Sequence, residues 1–121
     1  MKKIFILFCF FILFLFFINI ISHAVNSGNT SDLQLLARAI NGEARGESYE
    51  GQVAVGAVIL NRVKHPDFPN TIAGVIYQPG AFTAVSDGQI NIPIDESSSV
   101  FKAAQDALNG WDPTYRLHIL F

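Results

Sequence analysis

Leu36-Ala37-Arg38-Ala39-Ile40-Asn41-Gly42-Glu43-Ala44-Arg45-Gly46-Glu47 and, after Ser48, Tyr49-Glu50-Gly51-Gln52-Val53-Ala54-Val55-Gly56-Ala57-Val58-Ile59-Leu60-Asn61-Arg62-Val63 form the stretch that decides the fold. Leu33, Leu36, Ala37, Ile40 and Ala44 recur at helical spacing, which predicts an amphipathic helix. Ser31-Asp32-Leu33-Gln34 has the form of a capping box at its start, and Gly46 is a natural end. A second helix is predicted from near Tyr49 to about Lys64. Its apolar residues leave it little polar surface, as in a central, buried helix. Gly51 and Gly56 would let neighbours approach closely, and His65-Pro66 stops it.

Toward the C-terminus, residues 71–77 read as a short helix capped by Asn70, and Gln78-Pro79-Gly80 as a turn. Residues 82–86, Asp87-Gly88 and residues 89–92 carry a hairpin signal, because Asp-Gly suits a two-residue type I′ turn. Residues 97–108 predict a third sizeable helix, with Val100, Phe101, Ala104 and Leu108 on one face and Asn109-Gly110 closing it. The expected class is α+β, mainly helical with a small antiparallel sheet.

Toward the N-terminus the pattern changes. Lys2 and Lys3 precede an apolar run over residues 4–18, interrupted only by Cys9, and Ser22-His23-Ala24 offers small residues at the two positions a signal peptidase reads. This is the pattern of a secretory signal peptide over residues 1–24. The run is slightly short for a comfortable span, which favours cleavage, with an uncleaved anchor as the alternative. Residues 25–30 read as a polar tether. Of 121 residues, removal of the first 24 leaves 97. Two of the eight Lys/Arg and the single Cys leave with the signal, so the remainder is acidic, near −4, and has no disulfide. An apolar core must hold it, and mild acidity argues against nucleic acid as a partner.

His65 and His118 are far apart and have no Cys to join them, so no metal or other cofactor is expected. Ser86 and residues 97–99 lack the context of a nucleophile. The carboxylates remain. Glu43 and Glu47 share a helix face only if the helix runs through Gly46. If it ends there, Glu43 lies in the last turn, where the helix dipole disfavours negative charge, a setting suited to a general acid. A solvated Glu43 paired with Arg45 or Arg38 is the alternative. Tyr49, Tyr77, Phe82 and Trp111 could stack on sugar rings or pack in the core. Asn41, Gln52, Asn61 and Ser86 could bind a ligand or cap helices.

The string A-R-x-I-x-G-E-A-R-G-E…G-Q-V-A-V…N-R-V resembles the SleB/CwlJ family of cell wall hydrolases, the spore cortex-lytic enzymes. The likeness continues through Phe68-Pro69, Thr71-Ile72, Val75-Ile76-Tyr77, residues 82–85, Asp87-Gly88 and Gly110-Trp111-Asp112-Pro113-Thr114, and covers residues 33–114. It implies a lysozyme-like α+β domain acting on the glycan strands of peptidoglycan, in spore cortex or vegetative wall. It implies lytic transglycosylase chemistry, with Glu43 as catalytic residue; Tyr49, Gln52, Phe82 and Ser86 are taken as substrate contacts. A muramidase or an amidase are the alternatives. With the signal peptide it implies a monomer exported to the envelope or secreted, touching membrane only through an uncleaved signal. Residues 115–121 depart from the family's pattern. A domain incomplete at its C-terminus is therefore expected, with a loose hairpin, residues 117–120 as an improvised edge strand and an exposed Glu43; an inactive remnant or weak peptidoglycan-binding module is the further alternative.

Overall fold

The computed structural model describes residues 2–114 and, within them, the side chains of residues 2–4, 6–13 and 31–114. The expected cleavage site and tether fall where only backbone is described, and the tail over residues 115–121, with its expected edge strand, lies outside the described residues. Among the described residues five α-helices follow in order: α1 (Lys2–Ala44), α2 (Tyr49–Lys64), α3 (Ile72–Ile76), α4 (Thr83–Ser86) and α5 (Ser99–Leu108). A 3-10 turn, Gln89–Asn91, lies between α4 and α5. The chain divides into two compact units, Met1–Ser31 and Asp32–Phe121. In the first, Ile4, Leu7, Phe8, Phe10 and Leu13 are exposed.

In the second unit α2 is the central element. Ser48 opens it by accepting a hydrogen bond from the Gly51 amide at 3.2 Å. Glu50 in its first turn and Arg62 and Lys64 in its last suit the helix dipole. His65, in extended backbone ahead of Pro66, ends it. No residue of α2 between 51 and 63 is exposed, as its nearly continuous apolar sequence predicts. It packs against α5 and α3. Leu36, Ala39, Ile40 and Ala44 of α1 join Ile59, Val75, Ile76 and Phe101 in the core.

Gly56 is the close point of this packing. A Cβ there would stand 2.9 Å from the Ala107 Cβ and 3.1 Å from the Ile40 Cδ1, so α5 and α1 both lean on a position without a side chain. Ser98 caps α5 through the Phe101 amide. Gly110 (φ 103°) closes it, with Gly110 N donating to Ala107 O and Trp111 N to Asp106 O, the paired bonds of a Schellman motif.

Three local expectations are corrected. Among the described residues no strand forms, so the small antiparallel sheet of the expected α+β class is absent and the unit is helical. The hairpin over residues 82–92 is replaced by α4 and the 3-10 turn. Gly88 does take the left-handed conformation (φ 86°), but Asp87 stays right-handed (φ −93°). A type I′ turn needs positive φ at both positions. Asp87 instead accepts from the Gln89 amide through Oδ1 at 3.0 Å, a local turn that carries the chain onward. The cap of the short third helix is Thr71, whose hydroxyl accepts from the Gly74 amide, and not Asn70.

The helix start expected at Ser31 is also not where it was placed: α1 runs through residues 25–31. Nor does the Gln34 side chain serve a local capping box, because it is engaged far along the chain. Its Nε2 donates to Ile94 O at 3.1 Å and its Oε1 accepts from Ile94 N at 2.7 Å. One amide side chain thereby satisfies both polar groups of a half-buried residue 60 positions away. Gln34→Ala leaves that donor and acceptor without partners, and is expected to cost about 1–3 kcal/mol in a urea melt.

Candidate active site

The last turn of α1, the connection to α2, one stripe of α2 and the approach to α4 enclose a groove of about 540 Å³. Gly51, Ala54, Val55 and Val58 form its floor. Their spacing of three, four and seven puts them on a single helix face, and their small size leaves the floor low. Glu43, Ala44, Glu47, Ala81 and Phe82 complete its lining.

Glu43 is exposed to this groove at the end of α1. Its Oε1 accepts a hydrogen bond from the Ala84 amide, in the first turn of α4, at 3.5 Å. Phe82, the residue that enters α4, supplies no side-chain cap of its own, so the Glu43 carboxylate meets one of that helix's open donors. The close approach depends on Gly42. A Cβ there would fall 2.4 Å from the Ala84 Cβ. Arg45 and Arg38, the cations that could have made Glu43 a surface ion pair, are both engaged elsewhere. Arg45 Nη1 donates to the Gln89 side chain, and Arg38 Nε to Gln34 Oε1 at 3.2 Å.

Of the expected substrate contacts, the structure brings Phe82 to Glu43. The Arg62 guanidinium lies 6.0 Å from the Phe82 ring centroid and 5.3 Å from that of Phe68, within cation–π range. Arg62 is itself buried, which lowers its pKa from the ordinary guanidinium value. Gln52 is 5% exposed and is not among the groove-lining residues; its Oε1 has no hydrogen-bond partner. Ser86 is exposed at the end of α4, donating to Thr83 O at 2.9 Å.

Tyr49 faces α5. Its hydroxyl donates to Asp106, Lys102 Nζ bridges to Asp106 at 3.0 Å, and the Trp111 ring lies 6.0 Å away. The Tyr49 hydroxyl is pushed above its ordinary pKa by burial and then by the Asp106 carboxylate. Asp106 is held below the ordinary carboxylate value, first by the Tyr49 hydroxyl and then by Lys102. A carboxyl with a depressed folded-state pKa contributes stability that is present above its unfolded pKa and is lost as pH falls through the folded one. Asp106→Asn should therefore flatten the acid limb of the stability curve below about pH 4, measured as urea midpoints from pH 2 to 7.

Glu47 shares the groove with Glu43 although α1 ends between them. The i, i+4 spacing was the available signal. The Ala84 amide and the Gly42 contact had no local signal, because they depend on where α4 lands.

A model of the family described as "Cell Wall Hydrolase" matches residues 46–119, a span that begins three residues after Glu43. A spore cortex-lytic enzyme of Bacillus cereus is 58% identical over 89 residues, which cover 74% of this chain and 34% of the relative. The chain thus spans about a third of the length of that curated relative. The crystal structure of the catalytic domain of the Bacillus cereus SleB protein is 59% identical, with a TM-score of 0.67, over 71% of this chain and 66% of that one. The catalytic domain of the germination-specific lytic transglycosylase SleB from Bacillus anthracis is 60% identical, with a TM-score of 0.64, over 69% of this chain and 66% of that one.

Proposed function

The chain belongs to the cell wall hydrolase family, and from that premise we propose that it is an exported peptidoglycan-cleaving enzyme, a lytic transglycosylase of glycan strands in which Glu43 is both acid and base. The observation that carries this reading is the placement of Glu43: it lines an open groove together with Phe82 and a stripe of small α2 residues, and one of its carboxylate oxygens accepts from the Ala84 amide at 3.5 Å.

Glu43 protonates the glycosidic oxygen as the C1–O bond breaks, and the leaving sugar departs with a free hydroxyl. The carboxylate then takes the proton of the same muramic residue's C6 hydroxyl as that oxygen bonds to C1. A 1,6-anhydro ring results and Glu43 is protonated again. One carboxyl suffices because the substrate supplies the nucleophile. The groove volume is in the range of small-ligand sites, and the face of a sugar ring suits an aromatic wall such as Phe82.

Glu47 in the same groove favours a second reading, a muramidase in which two carboxylates direct water to C1. The products separate the two. The full chain, purified in mild detergent, is incubated with cortex and with vegetative sacculi, and the fragments are analysed by mass spectrometry. Anhydromuropeptides are expected. Hydrated reducing ends would establish the muramidase. Stem peptides freed from intact glycan would point to an amidase and remove Glu43 from the chemistry, and untouched sacculi would leave only a binding module or an inactive remnant.

The first 24 residues are proposed as the export signal, on the strength of the two lysines, the apolar helix with exposed Ile4, Leu7 and Phe10, and the Ser22-His23-Ala24 exit. Peptidoglycan lies outside the cytoplasmic membrane, so export is what brings Glu43 to its substrate. The chain is proposed to act as a monomer.

A further inference from the structure

The contact between α1 and α4 has no counterpart in the reaction scheme above, yet it adjoins the reacting carboxylate. α4 is four residues long and makes no side-chain cap of its own. A segment that short has little intrinsic stability, so its position must be set by what it packs against. Ala84 is its buried residue, and the space that Ala84 fills is the space a side chain at Gly42 would need: 2.4 Å separates the two Cβ positions, where real Cβ atoms do not approach within 3.0 Å. The same residue, Ala84, gives its amide to Glu43. Gly42 is the immediate neighbour of Glu43 in α1, and Ala84 lies two residues from Phe82, which also lines the groove.

We propose that Gly42 and Ala84 are positioning residues. The vacancy at Gly42 lets α4 seat against α1, and the seated Ala84 amide fixes the Glu43 carboxylate in the orientation that proton transfer needs. The inference rests on Glu43 as the acid/base. It adds that the room between the helices fits one methyl group and not two, and that turnover depends on that fit rather than on the identity of either residue.

The test is a methyl exchange in the full chain. Gly42→Ala alone pushes α4 away. Gly42→Ala with Ala84→Gly moves the methyl from one helix to the other, and the nearest remaining neighbour of the new Cβ is then the residue 84 Cα at 3.6 Å, an ordinary contact. The single variant is expected to lose about 100-fold in kcat with KM little changed, as for a misplacement of about 1 Å at a reacting group. The double variant is expected to recover to within about fivefold, the remainder reflecting the roughly 1 kcal/mol penalty of glycine in a helix.

The residue 84 amide resonance supplies a readout that does not depend on activity. In the unaltered chain its chemical shift should follow the ionisation of Glu43. That response should vanish in Gly42→Ala, return in the double variant and be absent in Glu43→Gln. Full kcat in Gly42→Ala overturns the proposal, as does an amide that ignores Glu43. So does a double variant that recovers thermal stability without recovering kcat, since the contact would then be structural only. Should Gly42→Ala fail to fold, the double variant carries the decision by the same two measurements. If Glu43→Gln keeps full activity while the amide responses behave as expected, the acid/base assignment fails and the α4 contact stands without a catalytic purpose, which overturns the positioning role as well.

Discussion

Glu43→Gln is expected to lower the release of soluble glycan fragments from sacculi by about 10³-fold, within the range that removal of a general acid or base produces. Gln matches Glu in shape and its Oε1 can still accept from the Ala84 amide, so the α4 contact and the groove walls stay in place. What is lost is the exchangeable proton, needed twice in each turnover. Glu43 is exposed, so the substitution leaves no buried charge or cavity, and the melting temperature should move by no more than a degree or two. A variant keeping more than a tenth of the activity would show that Glu43 does not carry the proton. Glu47→Gln in parallel separates the two chemical readings. A comparable loss there, with hydrated reducing ends from the unaltered chain, would identify a two-carboxylate hydrolase.

Gly56→Val is expected to have the largest effect on stability. A Cβ at position 56 already meets the Ala107 Cβ at 2.9 Å and Ile40 at 3.1 Å, and valine adds two further methyls. The Ala107 Cβ is fixed to the backbone of α5 and cannot rotate aside, so α5 must move as a body or α2 must bend. Overpacking of this kind costs about 3 kcal/mol, and the few tenths of a kcal/mol that valine gains over glycine in helix propensity do not offset it. For a unit of this size the melting temperature should fall by about 12–24 °C, read by circular dichroism. Gly46→Ala is the control. A Cβ at Gly46 has nothing within 4 Å, so the melt should stay close to that of the unaltered chain. Equal losses at the two positions would mean that close packing at Gly56 is not what matters.

The parts of this fold that could be read from the sequence are those whose causes are local. α2 begins and ends where predicted, because the long apolar run and His65-Pro66 act within a few residues of the boundary. α5 ends where Asn109-Gly110 says it should, because a glycine in the left-handed conformation is enough to close a helix. Residues 82–92 went wrong for the complementary reason. Five residues such as Phe82-Thr83-Ala84-Val85-Ser86 do not distinguish a period of 2 from a period of 3.6. The choice fell to Ala84 packing on Gly42, more than 40 positions away.

Gln34 shows the same limit, since a residue suited to a local cap was drawn to Ile94 instead. Glu43 and Phe82, both expected from the resemblance, line one groove. Tyr49 and Ser86 carry the right chemistry for sugar binding, but the first is tied to α5 through Asp106 and Lys102 and the second to the backbone of α4.

The link between Gln34 and Ile94 also bears on the order in which the molecule assembles. The contact of α1 with α2 at Ile40 and Gly56 spans only 16 positions, whereas Gln34 and Ile94 can meet only after the ends of a 60-residue segment have come together. The entropy of that closure must be met before the bond forms, which places the Gln34–Ile94 link on the native side of the folding barrier. In a chevron experiment, losing such a link shows as faster unfolding with a nearly unchanged folding limb. The Gln34 amide is then a latch on the finished structure: it governs how long α5 and the loop before it stay docked once folded, and has little say in how quickly they arrive.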